Sequence, residues 1–315
     1  MSFPVPKKTP IEARTEKVLD VRTERIKDPE TIYLGCSLSS QPSCHWQRNG
    51  RENVLVFTPK PVDNDETAMA EKCTEAVLSM VCRLRSDGFW LACDGGFSPA
   101  STIYQEFTDV ELTAVGVIPD TATNPEAETF VMDWPIAQGN LRSLQDLVAV
   151  QGVSNKGFFV SAPNSTESIG YRFKHRLFEE LDPSVEVADE DDRKILTDWP
   201  RKNDAVATAL DKLLAQNPLK YRLYPLQAYD YHCEPIDALW YRKYLENAVV
   251  EVRFTLSHWP ISGKSNGGGA NVFRANIVDI LVLCTPPPVV VSPRKRKVSS
   301  HHPASPTKKR VLSST

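Results

Sequence analysis

Two adjoining strand patterns near the C-terminus constrain the fold most. Alternate residues of the first pattern are apolar and would share one face of a strand: Ala248, Val250, Val252, Phe254 and Leu256. Polar or charged residues occupy the intervening positions 251, 253, 255 and 257. A loop containing Gly and Ser at 260–269 leads to a second pattern at 272–283, which is apolar on both faces near its end. The spacing predicts a long antiparallel hairpin whose second strand lies inside a sheet.

Helix and strand patterns alternate along the rest of the chain. The pair Asn49-Gly50 between two alternating segments predicts a hairpin turn. Apolar residues at three- and four-residue spacing predict helices at 69–84, 141–150, 165–181, 204–216 and 236–247. Short strands are expected at 89–93, 114–118, 129–132 and 157–160. This mixture predicts an α+β fold: a mixed sheet with a few amphipathic helices, the long C-terminal antiparallel hairpin and a disordered basic tail.

Composition divides the chain into five parts. Residues 1–30 have alternating charges and few large apolar side chains, which predicts a flexible N-terminal arm. Residues 31–180 are expected to form a globular α/β part, and residues 181–203, which begin with a dense acidic run, an acidic linker or loop. Residues 204–284 supply a helix and the hairpin, either in the same domain as 31–180 or in a second one. Residues 285–315 begin with a run of prolines and predict the disordered basic tail.

The formal charge is distributed unevenly along the chain. The whole sequence has 37 Lys and Arg against 40 Asp and Glu, a net charge of −3. From Ser292 onward there are seven basic residues and no acidic one, which leaves 30 basic and 40 acidic residues, net −10, before Ser292. This acidic average argues against a broadly basic nucleic-acid-binding domain and leaves room for a local basic patch.

Several classes of protein are disfavoured by the sequence. No apolar run approaches the ~20 residues that span a bilayer, and the first residues lack the apolar core of a signal peptide. Seven scattered cysteines without a CxxC pair favour reduced thiols inside a cell. A zinc site built on Cys36, Cys44 and His45 lacks a fourth ligand at the usual spacing. The segment Gly263-Lys264-Ser265 lacks the first glycine of a P-loop. We therefore expect an intracellular protein with no metal, no cofactor and no membrane partner.

The tail carries two clusters of basic residues. They are Arg294, Lys295, Arg296 and Lys297, followed by Lys308, Lys309 and Arg310. The first cluster resembles a monopartite nuclear localisation signal, and the two together resemble a bipartite one. An import receptor binds such an extended basic peptide in an acidic groove. The tail therefore predicts a nuclear location and a nuclear import receptor as partner.

Two serines in the tail lie beside these clusters. Ser292 and Ser305 each begin a Ser-Pro-x-Lys segment, the pattern of proline-directed kinase sites. Each phosphate would add about −1.5 to −2 charge and would weaken contacts between the tail and an anionic partner or receptor. A proline-directed kinase is therefore one candidate partner of the tail, and the alternative is that such short segments occur by chance.

Aromatic and basic residues are interleaved between positions 220 and 244. The candidate contacts for a nucleic acid are Tyr221, Arg222, Tyr224, Tyr241, Arg242 and Lys243. Aromatic rings can stack on unpaired bases while the cations bind phosphates. The alternative is that the tyrosines pack around the hairpin with their hydroxyl groups reaching water. Acidic residues in the same segment dilute the positive charge, so packing is the favoured interpretation.

No catalytic motif is recognisable in the sequence, because the histidines are isolated and neither HExxH nor GxSxG occurs. The leading hypothesis is a nuclear, non-enzymatic binding protein that acts through macromolecular interaction, with a chromatin-associated protein or nucleic acid as partner. The alternative is an intracellular enzyme, such as a metal-dependent hydrolase or nuclease, whose catalytic residues are distant in the sequence.

The last third of the chain resembles a group of fungal proteins. Residues 248–283, with the run VEVRFTLSHW that ends at Trp259, together with the Pro-rich basic end, are similar to uncharacterised proteins of mushroom-forming fungi. Those proteins have no established activity. The resemblance implies a fungal lineage and no site residue.

Overall fold

The computed structural model describes residues 10–58, 73–100, 103–161, 168–182, 189–262 and 269–288. The predicted basic tail after 288 and the tip of the predicted hairpin at 263–268 lie outside these ranges. The side chains of residues 10–13 and 168 are also outside the description.

Helices and strands are mixed along the described chain, which confirms the predicted α+β class. The helices are α1 (Pro10–Lys27), α2 (Glu128–Asp146), α3 (Glu190–Asp198), α4 (Asp204–Leu214) and α5 (Tyr241–Leu245). The strands of the first half are β1 (Thr31–Tyr33), β2 (Cys44–Asn49), β3 (Glu52–Phe57), β4 (Val77–Leu84), β5 (Glu111–Val117) and β6 (Ser154–Lys156). The remaining strands are β7 (Phe159–Ser161), β8 (Ser168–Arg176), β9 (Phe178–Glu180), β10 (Tyr221–Leu223), β11 (Gln227–Tyr229), β12 (Val249–Ile261) and β13 (Ala270–Cys284).

Five of these strands close into a barrel. β4 pairs with β5 and β5 with β8, both antiparallel, and β8 pairs in parallel with β13. β13 pairs antiparallel with β12, whose first half, Val249–Phe254, returns antiparallel to β4. In chain order the five barrel strands are β4, β5, β8, β12 and β13. Their order around the barrel is therefore first, second, third, fifth, fourth and back to first, and the one parallel pair joins the third strand to the fifth. This is the Greek-key connectivity of the OB barrel.

The interior of the barrel is a continuous apolar core. The side chains that line it include Leu78, Met80, Cys82, Leu112, Ala114, Phe173, Val252, Phe254, Ala275 and Ile280. The rings of Phe173 and Phe254 meet edge to face with centroids 5.2 Å apart. A Cβ at Gly116 would lie 2.6 Å from Cys82 Sγ, so only glycine leaves room for the core at this position. α2 and α4 bury their apolar faces in the same core.

The predicted long C-terminal hairpin is confirmed, and it is the central element of the sheet. β12 and β13 pair from Val249↔Cys284 to Ile261↔Ala270. The first half of β12 completes the barrel, and its second half pairs with β3 through Ser257 and His258. The hairpin β2–β3, predicted from Asn49-Gly50, thereby extends the sheet beyond the barrel.

Helix α1 occupies residues 10–27, where the sequence predicted a flexible arm. Val18 is 1% exposed and belongs to a second apolar cluster outside the barrel. The Arg22 guanidinium donates to Asp133 at 2.6 and 2.9 Å, and Arg25 Nε donates to Glu251 at 2.6 Å. The prediction was wrong for residues 10–27, because charged side chains of this segment, which suggested solvation, bind carboxylates on the body; residues 1–9 lie outside the described chain.

The predicted helix at 69–84 is also wrong where the structure describes it. Residues 77–84 form β4, and residues 69–72 lie outside the described ranges. β4 pairs with β1, β5 and β12, and six of its eight residues are buried. Because both faces of this strand are covered, its apolar residues do not alternate strictly and their spacing imitates a helix.

Two further segments have the opposite secondary structure to the one predicted. The segment 165–181, predicted as a helix, is mainly strand β8. The segment 129–132, predicted as a strand, belongs to helix α2. Because α2 ends at residue 146, it includes only part of the helix predicted at 141–150. Pro135 inside α2 obscures that helix in the sequence, since proline is unfavourable in a helix interior. Residues 89–93, predicted as a strand, form no regular secondary structure.

The predicted acidic linker contains a helix. Asp189 Oδ1 accepts a hydrogen bond from the backbone N–H of Asp192 at 2.9 Å, so the acidic run caps the N-terminus of α3. Asp192 in turn binds Arg222 Nε at 2.7 Å. The linker prediction was therefore wrong for residues 190–198, whereas residues 183–188 lie outside the described chain.

Other predicted elements are confirmed. α4 lies within the helix predicted at 204–216, and β5 covers most of the strand predicted at 114–118. The helix predicted at 236–247 is a 3-10 turn followed by the short α5.

In the described parts of the chain, no helix combines the length and apolar character needed to cross a bilayer.

Candidate nucleic-acid interface

A row of three cations lies on the outer face of the barrel. Arg172, Lys174 and Arg176 alternate along β8 with Tyr171, Phe173 and His175, all three of which are buried. Successive side chains of a strand point to opposite faces, so the three cations share the outer face. Arg172 and Arg176 are exposed, and Lys174 is half-buried. β8 is the third strand of the barrel.

The fifth barrel strand adds a fourth cation beside this row. The parallel register Ala275↔Phe173 and Asn276↔Lys174 places Arg274 and Asn276 of β13 on the same outer face. Four cations, Arg172, Lys174, Arg176 and Arg274, together form the basic face of the barrel.

One carboxylate lies among these cations. Glu111 Oε2 accepts from Lys174 Nζ at 2.8 Å, and Glu111 Oε1 pairs with Arg274 Nη1. Burial by itself would raise the pKa of Glu111, but its contacts with Lys174 and Arg274 outweigh burial and hold that pKa below its usual value. Glu111 is therefore ionised at neutral pH, and it orients two of the four cations. The face keeps an excess of positive charge.

A groove adjoins the basic face at the end of β8. It encloses about 930 Å³. Its lining includes Arg51, Arg176, Arg274, Tyr224 and Trp259. Tyr224 is 53% exposed, and Trp259, two residues before the end of β12, is half-buried. Three carboxylates, Glu52, Glu75 and Glu179, also line the groove and offset its arginines. Arg176 and Arg274 belong to the basic face as well, so the face and the groove together hold five cations and four carboxylates, counting Glu111, and the aromatic surface lies in the groove.

A tryptophan lies at the opposite margin of the face. The backbone N–H of Trp90 donates to the carbonyl oxygen of Thr113 at 2.7 Å, at the edge of β5. Thr113 is paired on its other side with Lys174. Trp90 is 49% exposed. The outer surface thus runs from Trp90 across β5, β8 and β13 to Trp259.

The six residues predicted as nucleic-acid contacts do not form one surface. Only Tyr224 of the six lines the groove. Tyr241 is 2% exposed and its hydroxyl donates to the Leu226 carbonyl at 2.7 Å, so its ring is not accessible to a base. The ring of Tyr241 is packed, as the alternative interpretation predicted, but its hydroxyl bonds to a backbone carbonyl and not to water. Tyr221 is half-buried in β10.

The three predicted cations are engaged elsewhere. Arg222 binds the buried Asp192. Arg242 donates to the Phe89 carbonyl at 2.9 Å. The Lys243 ammonium lies 5.1 Å from the centroids of both the Trp240 and Tyr244 rings. The Arg222 contact joins β10 to α3, and the other two contacts are made from α5.

The tail residues predicted as a localisation signal lie outside the described chain. They are Arg294, Lys295, Arg296, Lys297, Lys308, Lys309 and Arg310, and the predicted phosphorylation sites Ser292 and Ser305 lie there as well.

Sequence reasoning missed the basic face for an identifiable reason. The strict alternation of apolar or aromatic with basic residues at 171–176 is a strand signal, but the segment was interpreted as a helix. With the correct period, the three cations of β8 fall on one face. The sequence placed Arg274 in the predicted second strand of the hairpin. It could not predict the strand register that brings Arg274 beside Lys174.

The buried histidines have structural partners. His175 Nε2 lies 2.8 Å from the Tyr224 carbonyl oxygen, and His258 contacts Asn53 and Asn271 at 3.1 and 3.2 Å. Burial lowers the pKa of both imidazoles. Within the described ranges, no group of three or more His, Cys, Asp or Glu side chains is placed to hold a metal ion.

Comparisons with known proteins add little to this geometry. No family model and no curated protein matches the sequence. Among solved structures, the chain is similar to gp2.5, a single-stranded DNA binding protein encoded by bacteriophage T7, at 9% sequence identity and a TM-score of 0.33. The similarity covers 70% of this chain and 95% of that chain. A TM-score of this size does not show a shared fold, so the chain is assigned to no family and we take neither fold nor function from the similarity.

Proposed function

We propose that this protein binds single-stranded nucleic acid across the outer face of β5, β8 and β13. One observation carries the proposal: a barrel with OB connectivity presents Arg172, Lys174, Arg176 and Arg274 on its third and fifth strands. The face of the second and third strands is where barrels of this connectivity bind oligonucleotides. Phosphate contacts from exposed arginines supply sequence-independent affinity.

The shape and charge of the body support a single strand. The basic face is a sheet surface flanked by Trp90 and Trp259, whereas side chains read the duplex major groove from a protruding helix or two-stranded ribbon. Exposed aromatic rings offer stacking surface to unpaired bases. The body as a whole is acidic, with net charge −10 before Ser292 even with the basic face included, so a polyanion is repelled from other surfaces and favoured at this one.

A charge-reversal experiment tests the proposal. The full chain is made with the seven tail bases replaced by Gln, called here the tail-neutral chain, so that tail charge cannot supply affinity. Its binding to a fluorescent oligo-dT strand is measured by anisotropy at low salt. The double substitution Arg172→Glu and Arg176→Glu should weaken binding by more than about tenfold.

The matched control is the pair Lys194→Glu and Lys220→Glu. Both lysines are exposed and lie outside the basic face, and the control has the same net charge as the test variant. The control should change affinity little. Equal losses for both pairs, or no binding by the tail-neutral chain, would overturn the proposal.

A nuclear location is a second part of the proposal, and the sequence of the tail supports it. Replacing Arg294, Lys295, Arg296 and Lys297 by Ala in a fusion too large for passive diffusion should move the protein to the cytoplasm. The melting temperature should stay unchanged if the tail is unstructured, as the sequence predicts. Nuclear enrichment that persists after Lys308–Arg310 are also replaced would contradict both the location and the import receptor as partner.

A further inference from the structure

We infer that Trp90, at the margin of the basic face, stacks on a base of the bound strand, an inference that rests on the proposed function. The two neighbours of Trp90 in the chain, Phe89 and Leu91, are 2% and 0% exposed and anchor the segment in the core. Trp90 points the other way and is 49% exposed. A large aromatic side chain is therefore held in solvent by a segment that is itself fixed.

The indole is supported from one side by a glycine turn. A Cβ at Gly96, whose φ is +75°, would lie 2.6 Å from Trp90 Cε3, so the turn packs directly against the six-membered ring. The Gly96 N–H donates to Asp94 Oδ1 at 3.3 Å, and Asp94 pairs with Lys202 at 3.0 Å. A ring fixed in this way loses little conformational freedom when a base stacks on it.

Trp90 is also at a suitable distance from the phosphate-binding cations. Its hydrogen bond to Thr113 and the pair Thr113↔Lys174 separate Trp90 from Lys174 by two inter-strand spacings, about 10 Å. One oligonucleotide can therefore place a base on Trp90 and a neighbouring phosphate on Lys174. Because every base has a π face, this contact favours no particular base.

A second tryptophan provides the matched control. Trp240 is 51% exposed, almost the same as Trp90. It lies in the 3-10 turn before α5, and the Lys243 ammonium is 5.1 Å from its ring centroid. Trp240 is not in the row that runs from Trp90 through Thr113 to Lys174.

The experiment compares two probes on the tail-neutral chain: an oligo-dT strand and an abasic strand of the same length. Trp90→Ala should weaken oligo-dT binding by about 5- to 150-fold, the range for loss of one stacked base. Binding of the abasic strand should not change, because its phosphates still meet the cations. Trp90→Phe should recover most of the loss, and Trp240→Ala should bind both probes as the parent does.

The outcomes separate this inference from the proposed function. If the Arg172 and Arg176 reversal weakens binding of both probes while Trp90→Ala weakens neither, the inference is wrong and the proposed function stands. Equal weakening of both probes by Trp90→Ala also overturns the inference. If the charge reversal weakens neither probe, the proposed function fails. If circular dichroism shows that Trp90→Ala does not fold, the Trp90→Phe variant decides. Oligo-dT should quench the fluorescence of Trp90 in the parent chain, and Trp90→Phe should lack that quenching.

Discussion

Two walls of the same barrel use charged residues in opposite ways. On the wall formed by β4 and the first half of β12, Glu251 is 1% exposed and is bound by Arg25 of α1 and by Ser79. On the wall formed by β5, β8 and the first half of β13, the Glu111 carboxylate meets Lys174 and Arg274, and Arg172 and Arg176 are exposed. The first wall pairs its charges to attach a helix. The second keeps a positive excess, which is the composition expected of a surface that binds an anion.

The largest expected effect is on the covered wall. Arg25→Ala removes the partner of a buried carboxylate and should lower the free energy of unfolding by about 3 kcal/mol. Arg172→Ala on the open wall should change it by less than about 0.5 kcal/mol. Urea unfolding of both variants measures the difference. Similar losses of unfolding free energy for the two variants would contradict the claim that the two walls use their charges differently.

A smaller effect is expected from pH. Burial lowers the pKa of His175 in β8 and of His258 in β12 below the value in the unfolded chain, so the unfolded state binds more protons as the pH falls below about 6.5. Stability is therefore full above that pH and is lost towards acid pH, by at most about 1.4 kcal/mol per pH unit for each histidine.

Substitution of one histidine tests this assignment. His258→Gln should flatten the pH dependence of urea unfolding between pH 7 and about 5. His232, an exposed histidine, is the control, and His232→Gln should leave the profile unchanged. A profile that His258→Gln does not alter would show that the buried imidazole is not responsible.

The smallest effect concerns the carboxylate of the open wall. Glu111→Gln removes the one negative charge between Lys174 and Arg274 and should strengthen oligo-dT binding by the tail-neutral chain by about threefold. The affinity of both chains is measured by anisotropy at several salt concentrations. Weaker binding would mean that orientation of the two cations by Glu111 matters more than its charge.

Local patterns predicted the parts of the fold whose structure is decided locally. The hairpin of β12 and β13 follows from alternation in residues 248–259, and α4 follows from its amphipathic period. β4 and α1 were mispredicted because distant partners decide them. β4 is covered on both faces, and the charges of α1 are matched by carboxylates 111 and 226 residues away.

The candidate site was predicted less well than the fold. Its cations lie on β8 and β13, which meet only through the barrel register, and no local pattern reports a parallel pair between strands a hundred residues apart. Tyr224 was identified from its aromatic-basic surroundings, yet Tyr241 in the same segment is core. Composition could indicate that a nucleic-acid interface needs aromatic and basic residues. It could not show which of these residues lie on the outer face of the barrel and which lie in the core.

Selective ¹⁵N labelling of tryptophan tests the central claim most directly. The chain has six tryptophans, so the tail-neutral chain gives one indole N–H signal for each. On titration with oligo-dT, the signals of Trp90 and Trp259, which flank the basic face, should shift together. Those of Trp46, Trp134, Trp199 and Trp240 should stay in place. Binding that leaves Trp90 and Trp259 unchanged, or that shifts Trp240 instead, would contradict the assignment of nucleic-acid binding to this face.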